Sequence, residues 1–171
     1  MGAVMICLNV ASHDIQLKGF TNIDLDESMK PDLVYDCTKL TEKFAVDTVD
    51  FIYCAHFLEH LTLVQAQSVV NDFYKLLRPY SMCAIVVPDY TKILDLTPIT
   101  EVEKVIFADG QHKILFNTTR LLNVMQSAGF TTIATHFDNI PWVRFNSTNS
   151  KIDVSWQTAA IGIKHPKAEW K

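Results

Sequence analysis

The sequence lacks several signals that would assign a function class at once. It has no run of lysine or arginine and a formal net charge of −4, so no basic patch attracts nucleic acid. No window approaches about 18 apolar residues, so no membrane span is expected. No basic region of the kind that opens a signal peptide precedes the first apolar stretch. What remains is a globular composition, with 49% apolar and 20% charged residues.

The four cysteines form no C-x-x-C pair of the kind that binds metal or exchanges disulfides. Each lies in an apolar stretch, where a small reduced core residue is the usual interpretation. Reduced thiols are typical of the cytosol, so we expect a cytoplasmic protein. The length of 171 residues predicts one domain, spanning residues 1–171.

Short apolar runs alternate with segments of helical periodicity. Strands are predicted at 4–10, 20–25, 33–35, 49–55, 82–87, 130–137 and 152–163, and helices at 61–77, 91–96 and 118–128. Asn117 is a candidate N-cap of the last helix, and Gly129 a candidate residue just after its end. The pattern predicts a mostly parallel sheet covered on both faces. Ligands of such sheets bind beyond the carboxyl ends of the strands, here Ala11 to His13, Asp24, Asp36, His56 and Asp89.

One of these strand ends carries a pattern known from zinc enzymes. His56, Glu59 and His60 spell H-x-x-E-H, the signature of inverted metallopeptidases. Such a site needs both histidines on one helix face, but His56 falls at the end of a predicted strand. The sequence therefore predicts no metal. Glu59 and His60 are instead predicted to begin the helix, with Glu59 near its N-terminal dipole.

The order of motifs resembles the class I S-adenosylmethionine-dependent methyltransferases, especially a small bacterial and phage group. Members of that group look like L-N-L-G-x-G, G-W-x-N-V-D, D-L-T-x-x-L, S-H-x-L-E-H, L-x-P-G-G and V-P-D. This chain has, in the same order, LNVAS, KGFTNIDLD, YDCTKL, VDFIYCAHFLEHL, LLRPYSMCAIVVPD, GQHKILFNTTRLLNVMQSAGF and DVSWQTAAIG. The resemblance implies a three-layer Rossmann-like α/β fold. It also implies a seven-stranded, mostly parallel sheet with an antiparallel last strand.

The resemblance also implies a cofactor, S-adenosylmethionine, and the residues that bind it. These are Asn9, Ala11, Ser12, Asp24, Leu25, Asp36, Cys37, Ala55 and His56. Asp24 corresponds to the acid that binds the ribose hydroxyls, and Asp36 with the Cys37 backbone to the adenine edge. From the residues alone, the alternative for Asp24 is an exposed acid at a strand end, and the alternative for Asp36 is a turn residue before Thr38.

His56 and His112 are the candidate catalytic residues. His56 occupies the position beside the methyl group in this fold and is a candidate general base; the alternative is a histidine satisfied by backbone at a strand end. His112 matches the group's H-K-x-L-F motif and would reach the same cleft from a lid segment. For Asp89, after the fifth predicted strand, the alternative is a cap of the following helix, and the resemblance leaves both roles open.

The chain departs from the group at its glycine-rich loop, where Ala11-Ser12-His13 replaces G-x-G. Glycine lets the backbone approach the cofactor, so a bulkier loop argues for a second hypothesis. In it, the domain has lost catalysis and serves as a binding or regulatory module. A nicotinamide dehydrogenase is disfavoured because no G-x-G-x-x-G follows the first strand. The methyl acceptor and the oligomeric state are not encoded in any of these patterns.

Overall fold

Seven strands form a mixed sheet in the computed structural model, which describes residues 4–96, 102–107, 110–135 and 156–166. The strands are β1 (Cys7–Val10), β2 (Thr21–Asp24), β3 (Leu33–Val34), β4 (Val49–Ala55), β5 (Leu77–Pro88), β6 (Thr131–Thr135) and β7 (Gln157–Ile163). Their order across the sheet is β3-β2-β1-β4-β5-β7-β6. The first five strands run parallel, and β7 is antiparallel to both β5 and β6. The predicted fold class is confirmed.

Both faces of the centre of the sheet are buried. Successive side chains of a strand point to opposite faces, so residues of one central strand belong to two different cores. Ile52 and Cys54 of β4 belong to the larger core, whereas Phe51 and Tyr53 belong to a smaller core on the opposite face. The helices are α1 (Leu40–Lys43), α2 (Leu63–Leu76), α3 (Tyr90–Leu96), α4 (Val102–Phe107) and α5 (Thr118–Ser127). No helix of the described ranges has the length and apolar character needed to cross a membrane.

Helix α5 has the ends that the sequence predicts. The Asn117 side chain accepts a hydrogen bond from the Arg120 amide at 2.9 Å, which satisfies one of the free N–H groups of the first turn. Gly129 follows the helix with φ +108°, a conformation that glycine adopts without strain. Both predictions are confirmed.

The prediction that Glu59 and His60 begin α2 is wrong. They lie in a separate 3₁₀ turn, Leu58–His60, and α2 begins only after Thr62. Thr62 and Gln65 form a capping box, in which each side chain bonds the backbone N–H of the other. This cap fixes the start of α2 and leaves Glu59 outside it, with its side chain buried beneath the end of β4.

Strand β5 begins five residues earlier than predicted, directly after α2. Its pairing with β4 is irregular at the start. Val49 pairs with Leu77, whereas Phe51, only two residues later, pairs with Met82. Pro79 and Tyr80 lie in this bulge, where a proline costs no ladder hydrogen bond. The predictions for the two closing strands also include residues 136–137 and 152–155, which lie outside the described residues.

Candidate functional site

A cleft of about 550 Å³ opens at the carboxyl ends of β1, β2 and β4. It is the place where a parallel sheet of this order receives its ligand. All nine residues predicted to bind the cofactor line it: Asn9, Ala11, Ser12, Asp24, Leu25, Asp36, Cys37, Ala55 and His56. Its remaining lining residues are His13, Asp14, Ile15, Tyr53, Phe57, His60 and Gln111.

Asn9 and Ser12 hold the loop after β1 against the sheet. The buried Asn9 amide donates to the Ile15 carbonyl at 2.7 Å and to Asn22 Oδ1 at 2.9 Å. The Ser12 amide donates to the Ile23 carbonyl at 2.9 Å, so the loop continues across the end of β2. These bonds give the loop one defined path along the cleft.

The loop adopts the left-handed backbone conformation that favours glycine, although it has no glycine there. Ala11 has φ +54° and His13 has φ +45°. Such angles cost a non-glycine residue roughly 1–2 kcal/mol each. The His13 side chain is 69% exposed, and its Nδ1 lies 3.1 Å from Asp14 Oδ1. The ring therefore extends into solvent at the rim of the cleft.

Asp24 ties the end of β2 to this loop. Its Oδ2 accepts from the His13 amide at 2.8 Å, and its Oδ1 accepts from the Asp26 amide at 2.9 Å. A carboxylate oxygen has two lone pairs, so each oxygen keeps one for a hydroxyl group of a ligand. Asp24 thus has a structural role and is also available to bind a ligand.

Asp36 and Cys37 form the wall beyond β3. Asp36 Oδ1 accepts from the Thr38 hydroxyl at 2.7 Å and from the Thr38 amide at 2.9 Å, as expected of a turn residue. These bonds, that of the hydroxyl first, lower the pKa of the Asp36 carboxyl. Burial raises the pKa of the Cys37 thiol to about 12, so this side chain offers the cleft a neutral surface.

His56 directly follows β4 and has a left-handed backbone, φ +54°, and its amide donates to the Val86 carbonyl at 3.0 Å. Its ring Nδ1 lies 3.1 Å from Oε1 of Glu59, whose side chain is only 2% exposed. The ring also packs at 5.3 Å, between centroids, from Trp156. A carboxylate that orients an imidazole in this way is typical of acid–base sites. Among the described residues, the hydrogen bond of the ring is therefore to Glu59 and not to a backbone group.

His112 lies behind the cleft wall and does not line the cleft. Its ring packs against that of His60, with 5.1 Å between centroids, and its Nδ1 lies 2.9 Å from the Ile106 carbonyl. Asp89 is also away from the cleft. It accepts from the Thr91 amide at 3.0 Å and caps α3, as the alternative interpretation has it.

Sequence comparison gives no relative for this chain: no family model and no curated protein matches it. Structure comparison finds proteins of the same fold. An S-adenosylmethionine-dependent methyltransferase from Archaeoglobus fulgidus superposes with a TM-score of 0.70 at 15% identity, over 95% of this chain and 87% of its own. Another from Mesorhizobium loti has a TM-score of 0.63 at 14% identity, over 96% and 94%. The fold is that of S-adenosylmethionine-dependent methyltransferases.

A neighbour of this fold has been solved with the cofactor. Phosphoethanolamine N-methyltransferase 2 from Haemonchus contortus, in complex with S-adenosylmethionine, has a TM-score of 0.63 at 11% identity. The alignment covers 97% of this chain and 50% of that one. At such identities the comparison establishes the methyltransferase fold and leaves the residues of the site to be argued from their own geometry.

Tyr53 on the cleft and Glu59 beside His56 were not among the predicted site residues. Tyr53 lies on the cleft with its hydroxyl buried and without a hydrogen-bond partner among the described residues. Burial raises the pKa of this phenol. The period of two along β4 places Tyr53 on the face of Ala55 and was the available signal. Glu59 was noticed as part of H-x-x-E-H, but no sequence pattern indicated that its carboxylate turns back toward His56.

Proposed function

We propose that this chain is an enzyme that transfers a methyl group from S-adenosylmethionine to an acceptor. The observation that carries the proposal is the cleft at the ends of β1, β2 and β4, lined by all nine predicted residues within a methyltransferase fold. Its volume of about 550 Å³ lies within the range of small-molecule sites, roughly 300–1,000 Å³. The cofactor supplies the electrophilic methyl group, and the protein aligns the acceptor with it.

Each wall of the cleft has a part in this proposal. Asp24 binds the ribose hydroxyls through its free lone pairs, and the turn at Asp36 and Cys37 borders the adenine. The Asn9–Ser12 loop presents backbone groups to the methionine part, while Leu25 and Ala55 supply apolar contact. The domain would comprise residues 1–171. The four free thiols support a reducing, cytoplasmic location.

His56 is proposed as the general base for the acceptor. Glu59 Oε1 lies 3.1 Å from its Nδ1, which leaves Nε2 of the ring to accept a proton from an acceptor hydroxyl or amine. The ring is one-third exposed, so an acceptor can reach it from solvent. His112 is proposed to act indirectly. Its own ring does not line the cleft, but it packs against the ring of His60, which does.

One observation favours the second candidate function, a binding or regulatory module without catalysis. Ala11 and His13 carry side chains in left-handed positions where the resembled group has glycine. Their Cβ atoms occupy space that a glycine would leave for the methionine part of the cofactor. A module of this kind would retain the fold and lose cofactor affinity.

Calorimetric titration with S-adenosylmethionine and S-adenosylhomocysteine separates the two functions. We expect both to bind the wild type, and Asp24→Ala to weaken binding about tenfold or more, the scale of a lost charged hydrogen bond. Glu27→Ala is the matched control, because this exposed acid lies close in sequence but does not line the cleft. The two amides that lose Asp24 can bond to water, so far-UV circular dichroism should show a folded variant.

Absence of binding to the wild type at millimolar concentration would remove the enzyme proposal and leave the binding module. Equal weakening by Asp24→Ala and Glu27→Ala would remove the ribose role of Asp24. Binding that only Asp24→Ala weakens supports both the cofactor and the site.

A further inference from the structure

Three potential metal ligands meet behind the wall of the cleft. Glu59 and His60 come from the 3₁₀ turn after β4, and His112 comes from the segment before α5. One ligand atom of each lies within 4.8 Å of the other two. The Lys113 amide donates to the Glu59 carbonyl at 2.7 Å, which holds the two segments together.

Both histidine rings are oriented as they are in metal sites. Nδ1 of His60 lies 3.2 Å from the Gln111 carbonyl, and Nδ1 of His112 lies 2.9 Å from the Ile106 carbonyl. A carbonyl oxygen only accepts hydrogen bonds, so each Nδ1 carries the proton. Nε2 of each neutral ring then has a free lone pair. This arrangement, with the second nitrogen bonded to a backbone carbonyl, is the usual one for metal-bound histidine.

The environment of the Glu59 carboxylate is a second, independent observation that favours a bound cation. Its side chain is 2% exposed, and Oε1 is the oxygen that lies 3.1 Å from His56. Oε2 is buried without a hydrogen-bond partner among the described residues. Leaving a carboxylate oxygen buried and unpaired is costly, whereas a cation beside it would satisfy the remaining lone pairs.

The geometry points to a site for a divalent transition-metal ion of the zinc class, bound by Glu59, His60 and His112. Two imidazoles and one carboxylate are a common set for zinc with an open position, whereas magnesium prefers oxygen ligands alone. Ligands about 2.1 Å from a tetrahedral ion lie about 3.4 Å apart, so small side-chain rotations would close the set. His56 is not a ligand but bonds the far oxygen of Glu59. The proposed ligands therefore differ from the H-x-x-E-H pattern, which would use His56 and His60 as the histidine ligands. This proposal replaces the prediction that the chain binds no metal.

The position of the site suggests what the ion does. His60 lines the cleft, so the ion borders it, and its open position is available to an oxygen atom. Under the proposed methyl transfer, on which this step rests, the acceptor would carry a hydroxyl, carboxylate or phosphate oxygen that the ion binds. Metal binding itself does not depend on the proposed function and is measured without cofactor.

The test uses the full chain, stripped of metal by a chelator and then dialysed against micromolar zinc chloride without cofactor. We expect about one equivalent of zinc by elemental analysis. Glu59→Gln, His60→Ala and His112→Ala should each weaken zinc binding at least 100-fold in titrations with a competing chelator. His165→Ala is the matched control, because it removes an exposed imidazole outside the cluster.

Zinc bound by the wild type and the control but lost in the three variants supports the site. Zinc below one-tenth of an equivalent in the wild type overturns it, as does equal binding by the cluster variants and the control. Glu59 is buried, so its variant is checked for folding by circular dichroism. Should it unfold, the His60→Ala result decides, since this side chain is partly exposed. Wild-type protein that binds S-adenosylmethionine but not zinc contradicts only the metal site. Wild-type protein that binds zinc but not S-adenosylmethionine contradicts only the proposed function.

Discussion

Ala11, His13 and His56 share a backbone feature at the scale of single residues. All three have φ between +45° and +54°, and all three line the cleft. Non-glycine residues keep such angles only where surrounding bonds determine them, and they cluster at functional sites. Here the His13 amide donates to the Asp24 carboxylate, and the His56 amide donates to the Val86 carbonyl. Three of the six non-glycine residues with positive φ in the described ranges therefore lie where the ligand is proposed to bind.

His13→Gly tests whether the loop side chain limits cofactor affinity. We expect tighter S-adenosylmethionine binding, because the rim loses a ring and the backbone loses its left-handed strain. The free energy of unfolding should change by less than about 1 kcal/mol, since relief of strain offsets the added entropy of glycine in the unfolded chain. Calorimetric titration and urea unfolding measure the two effects.

Lys30→Gly is the control for this variant. Lys30 has φ +54°, is exposed and does not line the cleft. Its replacement should alter stability in the same way and leave cofactor binding unchanged. Tighter binding in both variants, or weaker binding in His13→Gly, would contradict the crowding argument.

The buried thiols give stability a dependence on alkaline pH. Burial raises the pKa of Cys83 and Cys54 above the ordinary thiol value of 9.0. The folded state therefore keeps protons that the unfolded state loses above pH 9, so stability is full below that pH and falls as pH rises. At pH 10 each buried thiol should cost about 1.4 kcal/mol relative to neutral pH.

Urea unfolding at pH 7.5 and 10 checks this dependence in the wild type, Cys83→Ala and Cys7→Ala. Cys83→Ala should reduce the loss of unfolding free energy between the two pH values by about 1.4 kcal/mol. Cys7 is only partly buried, so its variant should reduce the loss less. Identical pH dependence in all three proteins would show that the thiols titrate alike in both states.

At the scale of elements, the sequence predicts strands and long helices well and short turns poorly. β4 has the predicted bounds, because six of its seven residues are apolar and leave few alternatives. The 3₁₀ turn Leu58–His60 has only three residues, too few to show a period. The sequence pattern therefore assigns Glu59 and His60 to the start of α2. The error placed Glu59 on a helix instead of beneath His56. The prediction of no metal had a different basis, namely that His56 at a strand end and His60 would not share a helix face.

The capping box of α2 should stabilise the protein and keep this turn separate from the helix. Thr62→Ala removes the side chain that accepts from the Gln65 amide and should lower the free energy of unfolding by about 1 kcal/mol. Val64→Ala is the control on the same helical turn; Val64 is 81% exposed, so its loss should cost less than about 0.5 kcal/mol. Urea unfolding of both variants measures the difference. Equal effects would mean that the cap contributes nothing beyond helix propensity.

At the scale of the whole molecule, the cleft was predictable and the His60–His112 contact was not. A parallel sheet places the residues after its strands at one edge, and that rule alone brings Asp24, Asp36 and His56 to the same cleft. The approach of His112 to Glu59 depends on how the segment before α5 packs over a turn about 50 residues earlier in the chain. No local pattern encodes a contact of that range, so it emerged only from the folded chain.

The place of β7 between β5 and β6 has a consequence for synthesis on the ribosome. Thr131–Thr135 leaves the ribosome before Gln157–Ile163, yet within the described residues β6 pairs with the sheet only through β7. Until β7 emerges, the nascent chain exposes the unpaired backbone of β6 and the apolar edge of β5, both of which invite pairing with other chains. A chain truncated before Gln157 would therefore leave the edge of β5 uncovered and separate β6 from the sheet, and it should accumulate as insoluble protein.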